Sequence, residues 1–162
     1  MTADKLKALI ADAWADGQYP GDDAISYDKS GYHLECKQVA DFFRRKHWKD
    51  ITLPVLCTYR GDASACLSFM SPEACRFYLP AYMLIAIDNH DEADVVAESA
   101  WSMLLPKDDP SLADYWRERA AGFSPKQRKA IVSFLRFLQQ HYGSDYPAVG
   151  PQNALSYWEA AV

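Results

Sequence analysis

Apolar residues recur at the helical period through most of this chain, and the intervening polar residues are those that start and stop helices. Leu6, Leu9, Ile10, Ala13 and Trp14 share one face of a first helix that Thr2 caps and Gly17 ends. A turn-rich stretch follows, from Tyr19-Pro20-Gly21-Asp22-Asp23 to Ser30-Gly31, and reads as a loop of about a dozen residues. From His33 to His47 the helical spacing returns in Leu34, Val39, Phe42 and Phe43. Arg44, Arg45 and Lys46 are expected in its last turn, where cations suit the helix dipole.

Between Leu53 and Met70 that period is lost. Val55, Cys57 and Tyr59, then Ala65, Leu67 and Phe69, alternate on either side of Arg60-Gly61-Asp62, which suggests a short hairpin, with an irregular connection as the alternative. Beyond it the chain is punctuated helix. Ser71-Pro72-Glu73 places a capping hydroxyl before a proline at the first helical position. Pro80 lies in the same apolar run and cannot donate to the carbonyl of Arg76, so this helix should end or kink near Tyr78 and Leu79. Asp91 is the expected cap of a helix lined by Val96, Ala100, Met103 and Leu104. Asp109-Pro110 opens a short helix carrying Tyr115 and Trp116 and closed by Gly122. Ser124-Pro125-Lys126-Gln127 is a capping box before the longest helix, with Ile131, Phe134, Leu135, Leu138 and Tyr142 on one stripe. A last helix from Pro151 to Ala161 is anchored by Leu155 and Trp158. The expected fold is mainly α: one domain over residues 1–162, a compact array of about six or seven helices with one short β-hairpin near 53–70.

Composition supports a packed core: 162 residues, 49% of them hydrophobic, with 22 aromatic rings. The N-terminal stretch alternates apolar and acidic residues as far as Asp16, and the longest apolar run, Leu79 to Ile87, contains Pro80 and reads as a buried helix, so neither a secretory core nor a membrane span is expected and a cytoplasmic location with reduced thiols is. Cys36, Cys57, Cys66 and Cys75 form no Cys-x-x-Cys pair and have no His at ligand spacing; they read as small buried hydrophobes, and no metal or other cofactor is implied. The seven glycines form neither a dinucleotide fingerprint nor a phosphate loop, and no serine lies in a nucleophile elbow, so no catalytic residue is nominated.

The formal charge is −5, which argues against a general nucleic-acid binder. It is unevenly spread. From Asp88 to Glu118 nine acids (Asp88, Asp91, Glu92, Asp94, Glu98, Asp108, Asp109, Asp114 and Glu118) face two bases, Lys107 and Arg117, a net of −7. Such a segment is either a solvated face or a surface that steers a basic protein partner. The stretch from Asp88 to Asp94, with His90 at its centre, lacks the glycine and the terminal Glu of a calcium loop.

Leu67-Ser68-Phe69-Met70-Ser71-Pro72-Glu73-Ala74 and Arg76-Phe77-Tyr78-Leu79-Pro80-Ala81-Tyr82-Met83 resemble the signature of an uncharacterised bacterial family of small cytosolic helical proteins. The likeness extends to the turn from Tyr19 to Asp22, to Phe43 with Trp48, and to Ser124, Gln127, Phe134 and Leu135. Cys75 stands where that family would carry a bulkier apolar residue. The resemblance implies a fold and names no reaction.

Two functions follow as expectations. The first is a protein-binding inhibitor, an immunity protein that neutralises a toxin of bacterial competition through an acidic face of Asp88, Asp91, Glu92, Asp94, Glu98, Asp108, Asp109 and Asp114, with neither nucleic acid nor membrane as partner. The second is an enzyme or small-ligand binder with a pocket beside the kinked helix, built from Glu73, Arg76, Tyr78 and His90. A closed, apolar environment around Tyr78 would count against the second.

Overall fold

The computed structural model describes residues 1–161. Among these the regular structure is helical: α1 (Ala3–Ala13), α2 (Leu34–Phe43), α3 (Leu53–Leu56), α4 (Cys66–Phe69), α5 (Pro72–Asp88), α6 (His90–Ala93), α7 (Val95–Ser102), α8 (Pro110–Ala121), α9 (Pro125–Tyr142) and α10 (Pro151–Ala160). Ten helices replace the expected six or seven, because α3, α4 and α6 are single turns of four residues. The capping side chains explain why the long helices start where the sequence places them. Thr2, Ser71, Asp109 and Ser124 each accept from a backbone N–H of the first turn, and Pro72, Pro110, Pro125 and Pro151 stand in the first turn, where a missing N–H costs nothing.

Helix α5 is the axis of the core. Ala74, Cys75, the run from Phe77 to Met83, and Ile85 to Ile87 are all buried, so this helix is apolar around most of its circumference rather than along one stripe. It packs against α1, α7 and α8, while α9 lies between α1 and α10. Pro80 does not end the helix. The Arg76 carbonyl that it leaves without an intrahelical donor accepts instead from the Trp14 indole of α1 at 2.7 Å.

The hairpin expected near 53–70 is absent. Thr52 caps α3, with Pro54 in its first turn, and Asp62 caps a 3₁₀ turn at Ala63–Ala65. Apolar residues two apart therefore arise from short helical turns, whose length is too small for a 3.6-residue period to declare itself. The one β-bridge among the described residues joins Ser26 to Met70. Ser71 fastens that junction: its backbone N–H donates to Ile25, its hydroxyl donates to the Ala24 carbonyl at 2.7 Å, and the same oxygen accepts from Ala74.

Helix α2 also stops before its expected end. Arg44, Arg45 and Lys46 lie beyond Phe43, and Arg45 adopts φ +59°, which breaks the helix. The single Tyr78 hydroxyl proton serves the Lys46 carbonyl at 2.7 Å, with the Phe43 carbonyl, which accepts from the Lys46 N–H, also 3.0 Å away, and the Lys46 ammonium donates to the Phe42 carbonyl. Asp91 is not a cap but part of α6, which starts at His90 behind Asn89. Cys36, Cys66 and Cys75 are buried thiols as expected, but Cys57 is exposed. Among the described residues no helix is long and apolar enough to cross a membrane.

Candidate functional site

The acidic segment does not form one surface. Asp88 is taken up by Lys7 at 2.8 Å, Asp114 by Arg117 at 2.5 Å, and Glu92 accepts from the Asn89 amide at 3.0 Å. Asp109 caps α8 through Ser111, whose two hydrogen bonds hold its carboxyl below the usual range. Asp108 is exposed in the loop before it.

Asp91, Asp94 and Glu98 behave differently. With His90, Asp145 and Tyr146 they line a polar hollow of about 420 Å³. Three elements converge there: α6 brings His90 and Asp91, the α6–α7 junction and α7 bring Asp94 and Glu98, and the 3₁₀ turn after α9 brings Asp145. The junction is sharp because Asp94 holds φ +46° and ψ −118°, a conformation that L residues rarely adopt. Among the described residues no Lys or Arg pairs with any of these four carboxylates. The floor is aromatic: His90 stacks on Tyr142 with ring centroids 3.6 Å apart and planes 9° from parallel, and Tyr146 meets it edge-on. The His90 Nε2 lies 3.7 Å from Asp145, and its Nδ1 is buried without a hydrogen-bond partner. Among the described residues no group of three or more His, Cys, Asp or Glu is close enough to hold a metal ion.

The second expected site is divided. Glu73 and Arg76 do converge, at 3.8 Å, in a hollow of about 210 Å³ with Trp14, Gln18, Phe77 and Gln127. Arg76 also donates to the Glu118 carbonyl at 3.3 Å. Tyr78 is absent from that hollow. It is fully buried, with Phe43 and Phe77 edge-on to its ring and its hydroxyl spent on backbone carbonyls, and burial pushes its phenol far above the usual tyrosine range. This is the closed environment that counts against a reactive Tyr78. His90 belongs to the acidic hollow instead.

Another hollow, of about 380 Å³, lies between the early loop and α2, but its acids are interleaved with Lys29, Lys37 and Arg44. Lys37 pairs with Asp41 at 2.6 Å, and the Asp22 carboxylate there pairs with Arg45 at 3.3 Å. The acidic hollow, by contrast, has no Lys or Arg in its lining. Asp145 and Tyr146 were missed in the sequence, where only their position just after the longest helix sets them apart.

No curated protein and no solved structure matches this chain. Its helical fold, its charge and the motifs around Ser71 and Pro80 are therefore read beside one match that spans nearly the whole chain, residues 2–162, and by that match the protein belongs to the family of unknown function DUF6714.

Proposed function

We propose that this protein binds and neutralises a basic protein, as an immunity protein does for a toxin of bacterial competition, and that the acidic hollow beside His90 is the centre of its contact face. One observation carries the reading. Asp91, Asp94, Glu98 and Asp145 come from three elements to rim one hollow, and among the described residues no cation of this chain neutralises them. Like charges gathered without compensation repel one another, a cost that a cationic partner removes on binding. The rest of the acidic segment contributes to long-range steering, since Asp108 and Glu118 are exposed.

The test is affinity capture from the native cell extract with the wild-type protein and with Asp91→Lys/Glu98→Lys. A stoichiometric basic protein held by the former, lost from the latter and released by salt is the expected result. Capture that survives charge reversal at Asp91, Glu92, Asp94 and Glu98 overturns the reading.

A small-ligand site beside α5 is the second reading, favoured by the convergence of Glu73 and Arg76 in their hollow. It predicts that small carboxylates raise the melting temperature of the wild type and leave that of Arg76→Ala unchanged.

A further inference from the structure

We infer that the hollow beside His90 receives the guanidinium of an arginine presented by the basic partner. The inference rests on the acidic-face reading and names the chemistry by which that face recognises its partner. The carboxylates are spread around a space of about 420 Å³ instead of being gathered at one point, and no three of them are close enough to share a metal ion. A ligand that neutralises them must therefore carry several donors pointing in different directions. A guanidinium has five N–H groups in a planar fork, whereas an ammonium concentrates three donors on one atom.

The floor gives an independent indication. The His90 side chain is 9% exposed and pinned on Tyr142, yet its Nδ1 is buried without a hydrogen-bond partner. Its Nε2 stands 3.7 Å from Asp145, beyond hydrogen-bond distance, so the Asp145 carboxylate is not satisfied by the ring and can accept from an incoming donor. Tyr146 stands perpendicular to the imidazole, at 89°, and supplies a second aromatic wall with which a flat cation can stack. A nearly buried polar ring with an unpartnered nitrogen, beside uncompensated carboxylates, fits a planar donor better than it fits water alone. The rim is open, with Asp91, Asp94 and Glu98 all exposed. A free small cation would keep much of its hydration there, whereas an arginine anchored by the partner's surface needs no enclosure.

The experiment is an NMR titration of the isotope-labelled protein with the peptide acetyl-Gly-Arg-Gly-amide and with its lysine and citrulline counterparts. The arginine peptide should give saturable shifts at the His90 ring and Tyr146, the lysine peptide should bind about tenfold more weakly, and the uncharged citrulline peptide should not bind. Asp91→Asn/Glu98→Gln should weaken the arginine peptide about tenfold, a size expected for lost charge-assisted hydrogen bonds. Asp16→Asn/Asp23→Asn, which removes the same charge from exposed positions outside the acidic segment, should not. Absence of a saturable shift, an equal response to citrulline, or an equal loss in the Asp16/Asp23 variant overturns the inference. If the peptide fails while partner capture still depends on Asp91 and Glu98, the arginine inference falls and the acidic face stands. If the peptide binds while no captured protein depends on those acids, the partner reading falls.

Discussion

The indole of Trp14 donates at 2.7 Å to the carbonyl of Arg76, the one carbonyl of α5 whose helical donor Pro80 abolishes. A proline in a buried helix leaves an acceptor that water cannot reach, and here a side chain from another helix supplies the hydrogen bond. That bond ties α1 to the axis of the core. Trp14→Phe should therefore cost about 2–3 kcal/mol, from the orphaned carbonyl and the smaller ring together. Pro80→Ala restores an amide donor at position 80, so it should rescue part of that loss. Urea denaturation of the two single variants and the double variant should give a coupling of about 1 kcal/mol. Simple additivity would show that the carbonyl finds no new partner.

Tyr78 tests structure against chemistry. Its hydroxyl holds the backbone where α2 ends, through Phe43 and Lys46. Tyr78→Phe should lower stability by about 1–3 kcal/mol, the usual cost of leaving an acceptor unpaired, here the Lys46 carbonyl, and leave partner capture unchanged at a temperature where the variant is folded.

Arg119 is buried, and among the described residues no carboxylate pairs with it. Its guanidinium lies 3.5 Å over the Tyr115 ring and donates to the carbonyls of Met70 and Tyr115. These carbonyls stand in for the missing anion, and the Met70 contact fixes α8 onto the bridge between Ser26 and Met70. Arg119→Lys keeps the charge but has no planar fork to span both carbonyls or stack on the ring. It should cost at least as much as Arg119→Met, which removes the buried charge and fills similar space. Thermal unfolding of the two variants decides this order; a clearly more stable Arg119→Lys would contradict it.

The helix starts were legible because a cap is a local event. Thr2, Ser71, Asp109 and Ser124 each act on an N–H two or three residues away, so the sequence window contains the whole interaction. Where the outcome depends on distant chain, the local pattern is silent. It offers the choice of an end or a kink at Pro80 but not the Trp14 indole that serves the Arg76 carbonyl, and it does not show the early stop of α2, where Tyr78 holds the backbone. The candidate site divides in the same way. Asp91, Asp94 and Glu98 were visible as part of an acidic run, but their separation from Asp88, Asp109 and Asp114 depends on which acids find a partner, and that of Asp88 is Lys7 of α1. Asp145 joins them only because α9 returns the chain to His90.

Stability should fall on the alkaline side. Burial raises the Cys66 thiol to about 12 and the Cys75 thiol to about 11, against 9.0 for a free thiol. It likewise raises the Tyr59 and Tyr115 phenols to about 12, against 10.0. Between the free and the folded values the folded chain keeps protons that the unfolded chain has lost, so stability decreases as pH rises. The expected profile is insensitive to these groups below about pH 9 and falls steadily from there toward pH 12. Urea midpoints at pH 7, 9 and 10.5 should show it, and Cys66→Ala should reduce the slope. A midpoint that rises over this range would contradict the burial of these groups.

Asp94 sets stability against function at a single position. Its φ of +46° costs an L residue energy that glycine does not incur, and its carboxylate borders the hollow. Asp94→Gly should stabilise the fold by about 0.5–1 kcal/mol, seen as a higher melting temperature, because the α6–α7 junction is then unstrained. The same change removes one of the four carboxylates, so it should weaken capture of the basic partner. Asp94→Ala provides the control: it loses the carboxylate and keeps the strain, so it should weaken binding without the gain in stability. If both variants bind as the wild type does, Asp94 serves only the turn, and the contact face reduces to Asp91, Glu98 and Asp145.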